Sequence, residues 1–364
     1  MTPSPGRIRV LVVDDSVVIR RLVTEALAAD PQIEVVGIAA NGRVAVDRVK
    51  DLNPDAVTMD IEMPVMNGIE AVRALRRTHP RLPIVMFSTL TERGASATLD
   101  ALAAGASDYV TKPSNVGSFS ESQQNIREQL IPKLKALAGT RRAVGVRAAI
   151  PAPSPATGSR RRRTGAFKVL AIGSSTGGPD ALARVLPALP GDLAVPVVVV
   201  QHMPPLFTRL LAQRLGQHSR VKVVEACEGE PLTAGKVLIA PGGQHLTVRR
   251  QGAAVVAHLT EDPPENFCRP AVDVLFRSVA SGFGEGVLAL VLTGMGRDGA
   301  AGAKVIRDAG GEVFAQDEAT SVVWGMPGAV AMSGQADRVL ALERIGPDIA
   351  AALSRGPTPV GVTP

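Results

Sequence analysis

From Ile8 to about Leu137, short β-branched apolar runs alternate with longer stretches whose apolar positions recur at helical spacing. The runs at Ile8–Val13, Ile33–Ile38, Ala56–Met59, Ile84–Phe87 and Asp108–Val110 predict strands, and Val17–Ala28, Gly68–Arg77 and Ala95–Ala103 predict helices. Near-continuous apolar strands alternating with helices imply a parallel sheet covered on both faces. Five such units match a flavodoxin-like, doubly wound α/β layout, in which functional groups gather at the strand C-termini.

The pattern then stops. Residues 139–166 are rich in Pro, Ala, Ser, Gly and Arg and have no apolar period, a composition that cannot bury a core. From Lys168 the alternation returns, with strands predicted at Val169–Ile172, Val195–Val200, Val221–Val224, Val287–Thr293 and Glu312–Ala315. A stretch near Lys236–His258 reads instead as a small antiparallel meander, with turns at Pro241-Gly242-Gly243 and Gln251-Gly252. The expected organisation is a domain over 7–138, a flexible Pro/Ala/Arg-rich linker over 139–166, and a second doubly wound α/β domain over 167–352. The Pro-rich tail after Gly356 is expected to be disordered.

Composition sharpens this picture at three points. Aromatics are only 3% of the chain, so its cores must be built from Val, Leu, Ile and Ala. The net charge of +6 suggests nucleic acid, but residues 139–168 hold eight Lys or Arg and no Asp or Glu, which leaves the remainder at −2. The basicity belongs to the linker, and without a basic helix or helix-turn-helix in the second domain no nucleic-acid partner is expected. Cys227 and Cys268 lie outside any CxxC spacing, so neither a disulfide framework nor a zinc site is indicated. With no leader-like N-terminus and no apolar run near 18 residues, the expected location is the cytoplasm, without membrane insertion.

Candidate chemistry in the first domain collects at strand ends. Asp14 and Asp15 end the first strand, Asp60 the third, Ser88 the fourth and Lys112 the fifth. Neighbouring carboxylates repel one another unless a cation lies among them, and oxygen ligands suit Mg²⁺. A carboxylate flanked by Mg²⁺ and a lysine is a suitable acceptor for a phosphoryl group. Single strand-end acids often only cap helices, but these residues fall on matching strand ends. The segment closely resembles the response-regulator receiver domain. That resemblance implies phosphorylation at Asp60 and Mg²⁺ held by Asp15, Asp60 and the Glu62 carbonyl with help from Asp14. It also implies Ser88 and Lys112 as sensors of the acyl phosphate, with Tyr109 as the aromatic switch.

In the second domain, Gly173-Ser-Ser-Thr-Gly177 follows an apolar strand and opens into a helix at Gly178-Pro179. Such a turn can lift the Ser175 hydroxyl onto a strained strand-to-helix corner beside helix-start N–H groups, but the same geometry can cradle a phosphate. Acyl transfer and anion binding both stay open on this segment alone, although the Lys of a P-loop is missing. Among the histidines, His79 reads as a helix end, His218 as a solvated loop, and His245 and His258 as half-exposed strand positions. His202 differs, since it ends Val197-Val-Val-Val-Gln-His and so falls on the same sheet rim as Ser175. Asp298, in a second strand–Gly-turn–helix segment, is the leading carboxylate partner, ahead of Asp273 and Asp317. The order Ser, His, Asp departs from that of α/β-hydrolases, but triads are defined by roles rather than order.

Ile172-Gly-Ser-Ser-Thr-Gly-Gly-Pro, Gln201-His-Met-Pro-Pro, Ile239-Ala-Pro-Gly, Arg269-Pro-Ala-Val-Asp-Val-Leu-Phe, Leu292-Thr-Gly-Met-Gly-Arg-Asp-Gly and Val323-Trp-Gly-Met-Pro-Gly resemble the chemotaxis protein-glutamate methylesterases. With the receiver, this resemblance covers roughly residues 7–350. It implies a phosphorylation-activated hydrolase that demethylates glutamyl methyl esters and deamidates glutamines on chemoreceptor cytoplasmic helices, with a chemotaxis histidine kinase as phosphodonor. Within it Ser175 is the nucleophile, His202 the base and Asp298 its orienter, with the backbone N–H groups of Thr176 and Met295 as the oxyanion hole. Mg²⁺ serves the receiver, no cofactor is expected for the ester chemistry, and a monomer is expected. Cys268 stands where some family members carry His. The order of the domains further suggests that the unphosphorylated receiver covers the Ser175 cleft and that phosphorylation of Asp60 relieves this.

Overall fold

The computed structural model describes residues 6–112, 119–143 and 165–354. The chain separates into two compact units, Met1–Ile150 and Pro151–Pro364.

In the first unit, β1 (Ile8–Val13), β2 (Ile33–Ala39), β3 (Ala56–Asp60), β4 (Ile84–Ser88) and β5 (Asp108–Thr111) form a parallel sheet in the order β2-β1-β3-β4-β5. Helices α1 (Val17–Ala28), α2 (Gly42–Leu52), α3 (Gly68–Thr78), α4 (Glu92–Ala103) and α5 (Phe119–Ala143) connect and cover it. Every residue of β3 and β4 is buried, as a sheet packed on both faces requires. Helix starts carry their own signals. Asn67 and Glu70 form a reciprocal capping box at α3, and Ser16, Asn41 and Thr91 accept from the first turns of α1, α2 and α4. Helix α5 continues to Ala143, five residues into the stretch expected to be linker. Residues 144–164 and the tail from 355 lie outside the described residues.

The second unit is built on a parallel sheet in the order β14-β13-β12-β6-β7-β9-β8. Its strands are β6 (Val169–Ser174), β7 (Val197–Gln201), β8 (Lys222–Glu225), β9 (Lys236–Ile239), β12 (Val287–Val291), β13 (Glu312–Gln316) and β14 (Arg338–Leu340). Helices α6 (Gly178–Val185), α7 (Phe207–His218), α8 (Val272–Phe283), α9 (Ala300–Asp308), α10 (Met326–Met332) and α11 (Leu342–Ser354) run between and after them. A separate antiparallel hairpin joins β10 (His245–Gln251) to β11 (Ala254–Thr260).

The expected meander is therefore two things. Lys236–Ile239 is a parallel strand of the main sheet between β7 and β8, and only the Gln251-Gly252 turn joins antiparallel strands. Four apolar residues at most are visible before Pro241, too few for periodicity to tell a parallel core strand from a hairpin arm. Strands β6, β7 and β12 are wholly buried, and α8 lays Val272, Leu275, Phe276 and Val279 into the same core. Ser278 on α8 exchanges hydrogen bonds with the backbone of Val248 and so ties the hairpin to the sheet layer.

Candidate functional site

Register brings the receiver residues together. Val13 pairs with Met59 across β1 and β3, so Asp14 and Asp60 emerge side by side, and Ser88 pairs with Thr111, which delivers Lys112 to the same rim. The Lys112 ammonium lies 2.9 Å from Asp14 Oδ2 and 2.8 Å from Asp60 Oδ1. Asp14 Oδ2 is buried and has this ion pair without an aligned hydrogen bond. Burial and the neighbouring Asp14 charge push the Asp60 carboxyl up to about 6, against the pull of Lys112. Burial would lower the Lys112 ammonium, but the two carboxylates outweigh it and raise it.

Ligand oxygens of Asp14, Asp15 and Asp60 lie within 4.8 Å of one another, so one cation can reach all three. An under-satisfied buried carboxylate oxygen beside hard oxygen donors fits Mg²⁺. The Glu62 side chain turns to Arg93 instead, at 3.2 Å, which leaves only its backbone for such a role. Ser88 is not joined to the acids: it donates to Gly94 O at 3.1 Å and accepts from Thr98 at 2.6 Å. Tyr109 is buried, with the Lys133 ammonium 5.3 Å from its ring centre. Burial, then the nearby Asp108, raise its hydroxyl well above the usual range.

The same logic of register builds the second site. Ser174 pairs with Gln201 and Val291 with Gly173, so Ser175, His202 and Thr293 leave three adjacent strands at one edge, where the strand order diverges from β6. Backbone bonds lock the three turns: Ser175 N donates to Thr293 O at 3.0 Å and His202 N to Ser174 O at 3.1 Å. Gln201, nearly fully buried, accepts from Ser174 Oγ at 2.7 Å and donates to Ser175 O and His202 O at 3.0 and 3.1 Å. A Cβ at Gly178 would lie 2.0 Å from the Gln201 carbonyl oxygen, so the start of α6 needs glycine for this brace to fit. The left-handed backbone falls at Gly177, φ 76°, while Ser175 has no positive φ. The expected strain is therefore two residues past the hydroxyl.

His202 donates through Nε2 to Asp298 Oδ2 at 2.8 Å. Asp298 is buried and does not cap its own helix α9, whose first residue follows Gly299. Its carboxylate instead accepts from the N-terminus of α8, with Val272 N at 2.6 Å and Asp273 N at 2.9 Å, and from Gly299 N at 3.0 Å. Asn266 Nδ2 adds a fourth partner besides His202, bridging Asp298 Oδ1 and Asp273 Oδ2 at 3.0 Å each. Burial alone would raise the Asp298 carboxyl, but His202 and these N–H donors hold it below its ordinary value. Burial likewise opposes charge on His202, yet its hydrogen bonds to Asp298 and Cys268 raise the ring from 6.5 to about 9. Asp273 is pushed up by burial and by the Asp298 charge.

With Nε2 committed to Asp298, Nδ1 is the ring nitrogen a serine hydroxyl would have to reach, and Cys268 holds it in this structure. Cys268 Sγ lies 3.6 Å from that nitrogen, and Ser175 Oγ makes no hydrogen bond among the described residues. The imidazole and carboxylate are thus assembled, and the hydroxyl stands on the adjoining strand end without a closed bond to the ring. Such bonds often tighten only when substrate is bound. Thr293 Oγ1 donates to Thr176 O at 2.9 Å, and a Cβ on Gly294 would come within 2.8 Å of Ser175 Cβ, so the backbones at 176 and 294–295 are neighbours. Among the described residues the Met295 N–H has no acceptor. The arrangement holds a base–carboxylate pair, a serine and a free amide at one sheet edge, the parts that acyl transfer requires.

Three readings of the sequence change. His245 is fully buried, accepting from Ala271 N at 3.1 Å and lying 3.2 Å from Pro263 O, so it braces the loop before α8. His218 ends α7 rather than lying in a loop. Asp317 caps its own turn through Thr320 and stays out of the His202 network. Gln201 and Asn266 were not foreseen; Gln201 carried the one available signal, a polar residue at the end of a Val run.

Comparison with known proteins agrees with both halves. The family described as CheB methylesterase matches residues 170–349, and the response regulator receiver domain matches residues 10–122. A Nocardioides protein named protein-glutamate methylesterase/protein-glutamine glutaminase is 58% identical over 355 residues, 96% of each chain. A protein of the same name from Trichodesmium erythraeum is 46% identical, across 94% of this chain and 98% of its own. The crystal structure of the Thermotoga maritima CheB methylesterase catalytic domain aligns at a TM-score of 0.50 with 43% identity, over 51% of this chain and 98% of that one.

Proposed function

This chain belongs to the protein-glutamate methylesterase/protein-glutamine glutaminase family, and from that premise we propose that it is a receiver-controlled hydrolase of chemoreceptors. It cleaves glutamyl methyl esters on the receptors' cytoplasmic helices to glutamate and methanol, and deamidates specific glutamines to glutamate and ammonia. A histidine kinase of the same signalling system supplies the phosphoryl group to Asp60, and this raises the hydrolase activity. The protein works in the cytoplasm as a monomer; no described helix is long and apolar enough to cross a membrane. The second domain corresponds to residues 167–352 and the receiver to 7–138.

The observation that carries the reading is the His202–Asp298 pair, 2.8 Å apart, on the strand edge that also presents Ser175. In this mechanism Ser175 Oγ attacks the ester carbonyl while His202 Nδ1 takes its proton. Asp298 holds the ring with Nε2–H, and the ring then hands the proton to the departing methanol or ammonia. Water repeats the sequence on the acyl-enzyme, releasing glutamate and restoring Ser175. The Thr176 and Met295 N–H groups receive the oxyanion; loss of one such donor typically lowers the rate about a hundred- to a thousandfold.

In the receiver, Asp14, Asp15, Asp60 and the Glu62 carbonyl would hold Mg²⁺, which supplies charge neutralisation of the incoming phosphoryl group. Asp60 accepts that group, Lys112 pairs with it, and Ser88 and Tyr109 respond to it. Methanol release from methyl-labelled receptor, with acetyl phosphate and Mg²⁺ as phosphodonor mix, tests both halves. Ser175→Ala should abolish release, and Asp60→Asn should retain only the basal rate. Release by Ser175→Ala at the wild-type rate would reject the nucleophile.

A further inference from the structure

Glu265 and Cys268 exchange both backbone hydrogen bonds, Cys268 N to Glu265 O at 2.9 Å and Glu265 N to Cys268 O at 3.1 Å. Between them Asn266 and Phe267 have φ of 52° and 62°, two successive left-handed residues as in the tightest hairpin turns. Asn suits the first of these positions, and glycine is the usual second residue; a bulky side chain there is a true outlier.

Three of the four side chains are tied down. The Glu265 carboxylate forks with the Arg277 guanidinium on α8 at 2.8 and 2.5 Å. Asn266 bridges Asp298 and Asp273, and Cys268 lies against His202. Phe267 alone points outward, at 105% relative exposure the most exposed large apolar residue described. The ring gains nothing from burial and its backbone would be easier for glycine, so neither packing nor turn chemistry accounts for phenylalanine. Strained residues of this kind cluster where function holds them.

Position supplies the occupant. Phe267 is one residue, about 3.8 Å of chain, from the cysteine whose sulfur lies 3.6 Å from His202 Nδ1. Summed along the chain and the side chains, this puts the ring centre at most about 14 Å from the imidazole, close to the 10–12 Å width of one α-helix. A helix that brings an esterified glutamate to Ser175 can meet this ring with side chains a turn or two from the ester. The hairpin is braced to the same carboxylate that orients His202, so a helix seated on the ring is held in register with the reacting atoms.

We propose that Phe267 is a specificity-determining residue, an aromatic knob on which the apolar stripe of an amphipathic receptor helix seats beside the esterified glutamate. The proposal rests on the methylesterase reading above and adds the element that selects a helix over a free ester. Steady-state methanol release tests it with the full-length protein on two substrates, methylated receptor in membranes and a five-residue peptide carrying one glutamyl γ-methyl ester. Phe267→Ala and Phe267→Gly should each raise the receptor KM about tenfold, the scale of one interfacial aromatic anchor, with kcat within about threefold. The loss in kcat/KM on receptor should exceed that on the peptide at least about fivefold, and Phe267→Trp should restore the receptor KM.

A receptor KM within about twofold of wild type in both small variants would overturn the proposal. So would parallel losses on both substrates, which would mark the hairpin as structural support only. If wild type releases methanol from neither substrate, the methylesterase reading fails and the docking role falls with it. A normal wild type with unaltered variants overturns the docking role alone.

Discussion

Raising the pH should discharge His202 late, and both activity and stability should record it. The ring is held from 6.5 up to about 9 because its bonds to Asp298 and Cys268 outweigh the burial that opposes its charge. Asp273, through Asn266, and the Glu265–Arg277 ion pair beside the hairpin are further charged groups around this pair. General-base catalysis needs the neutral ring, so on a soluble glutamyl-ester peptide kcat/KM should climb about tenfold per pH unit and level off near pH 9. Near neutrality only about one ring in a hundred is then in the basic form.

The stability consequence has the opposite sign. A raised pKa contributes stabilisation that is complete below 6.5, where the ring is charged in both folded and unfolded chains. It is lost progressively as pH rises through about 9. The span corresponds to about 3 kcal/mol. Trp324 is the single tryptophan and donates to Gln316 O at 3.1 Å, so its fluorescence follows unfolding of the second unit in denaturant. Wild type should lose stability between pH 6.5 and 9, and His202→Gln should flatten that window. Cys268→Ala should move the midpoint of the activity profile downward. Background hydrolysis is subtracted with Ser175→Ala. A wild-type activity plateau already reached near pH 6.5, or identical stability slopes in wild type and His202→Gln, would refute the reasoning.

Asn266→Ala removes a donor from two buried carboxylates and replaces a side chain tolerant of left-handed backbone. A loss of about 3 kcal/mol in denaturant unfolding is expected. That loss should shrink in acid, as Asp273, already raised above its ordinary 3.8, takes up a proton and can donate to Asp298. Gly294→Ala would set a methyl 2.8 Å from Ser175 Cβ and 3.1 Å from Ser175 N. It should lower kcat about a hundredfold through displacement of the hydroxyl, while circular dichroism shows the fold retained.

Much of the first unit was legible because its strands are bounded apolar runs and its helices begin with capping residues. The predicted strands there match the observed ones to within one residue at each end, and the acids fell where parallel register had to bring them. The second unit was less transparent. Lys236–Ile239 resembles a hairpin arm because a short apolar run carries no sign of whether its partner is parallel. The three-residue edge strand Arg338–Leu340 has too few residues to display a period, and it escaped notice altogether. His245 looked half-exposed because alternation on β10 cannot show that the loop before α8 folds down onto it.

Local order along the chain decided which residues end strands, since a strand's apolar run stops where its backbone leaves the core. That alone nominated Ser175, His202 and Asp298, and the three receiver acids with Lys112. Only tertiary packing decided what each of them touches. An Asp just before a helix can cap it, but at Asp298 α8 arrives from elsewhere in the chain and aims two N–H groups at the carboxylate. Asn266 and Cys268 reach the same network from a hairpin whose course no periodicity records. Hydrogen bonds between distant segments depend on position in space within tenths of an ångström, and a linear pattern of apolar and polar residues encodes faces, not those distances.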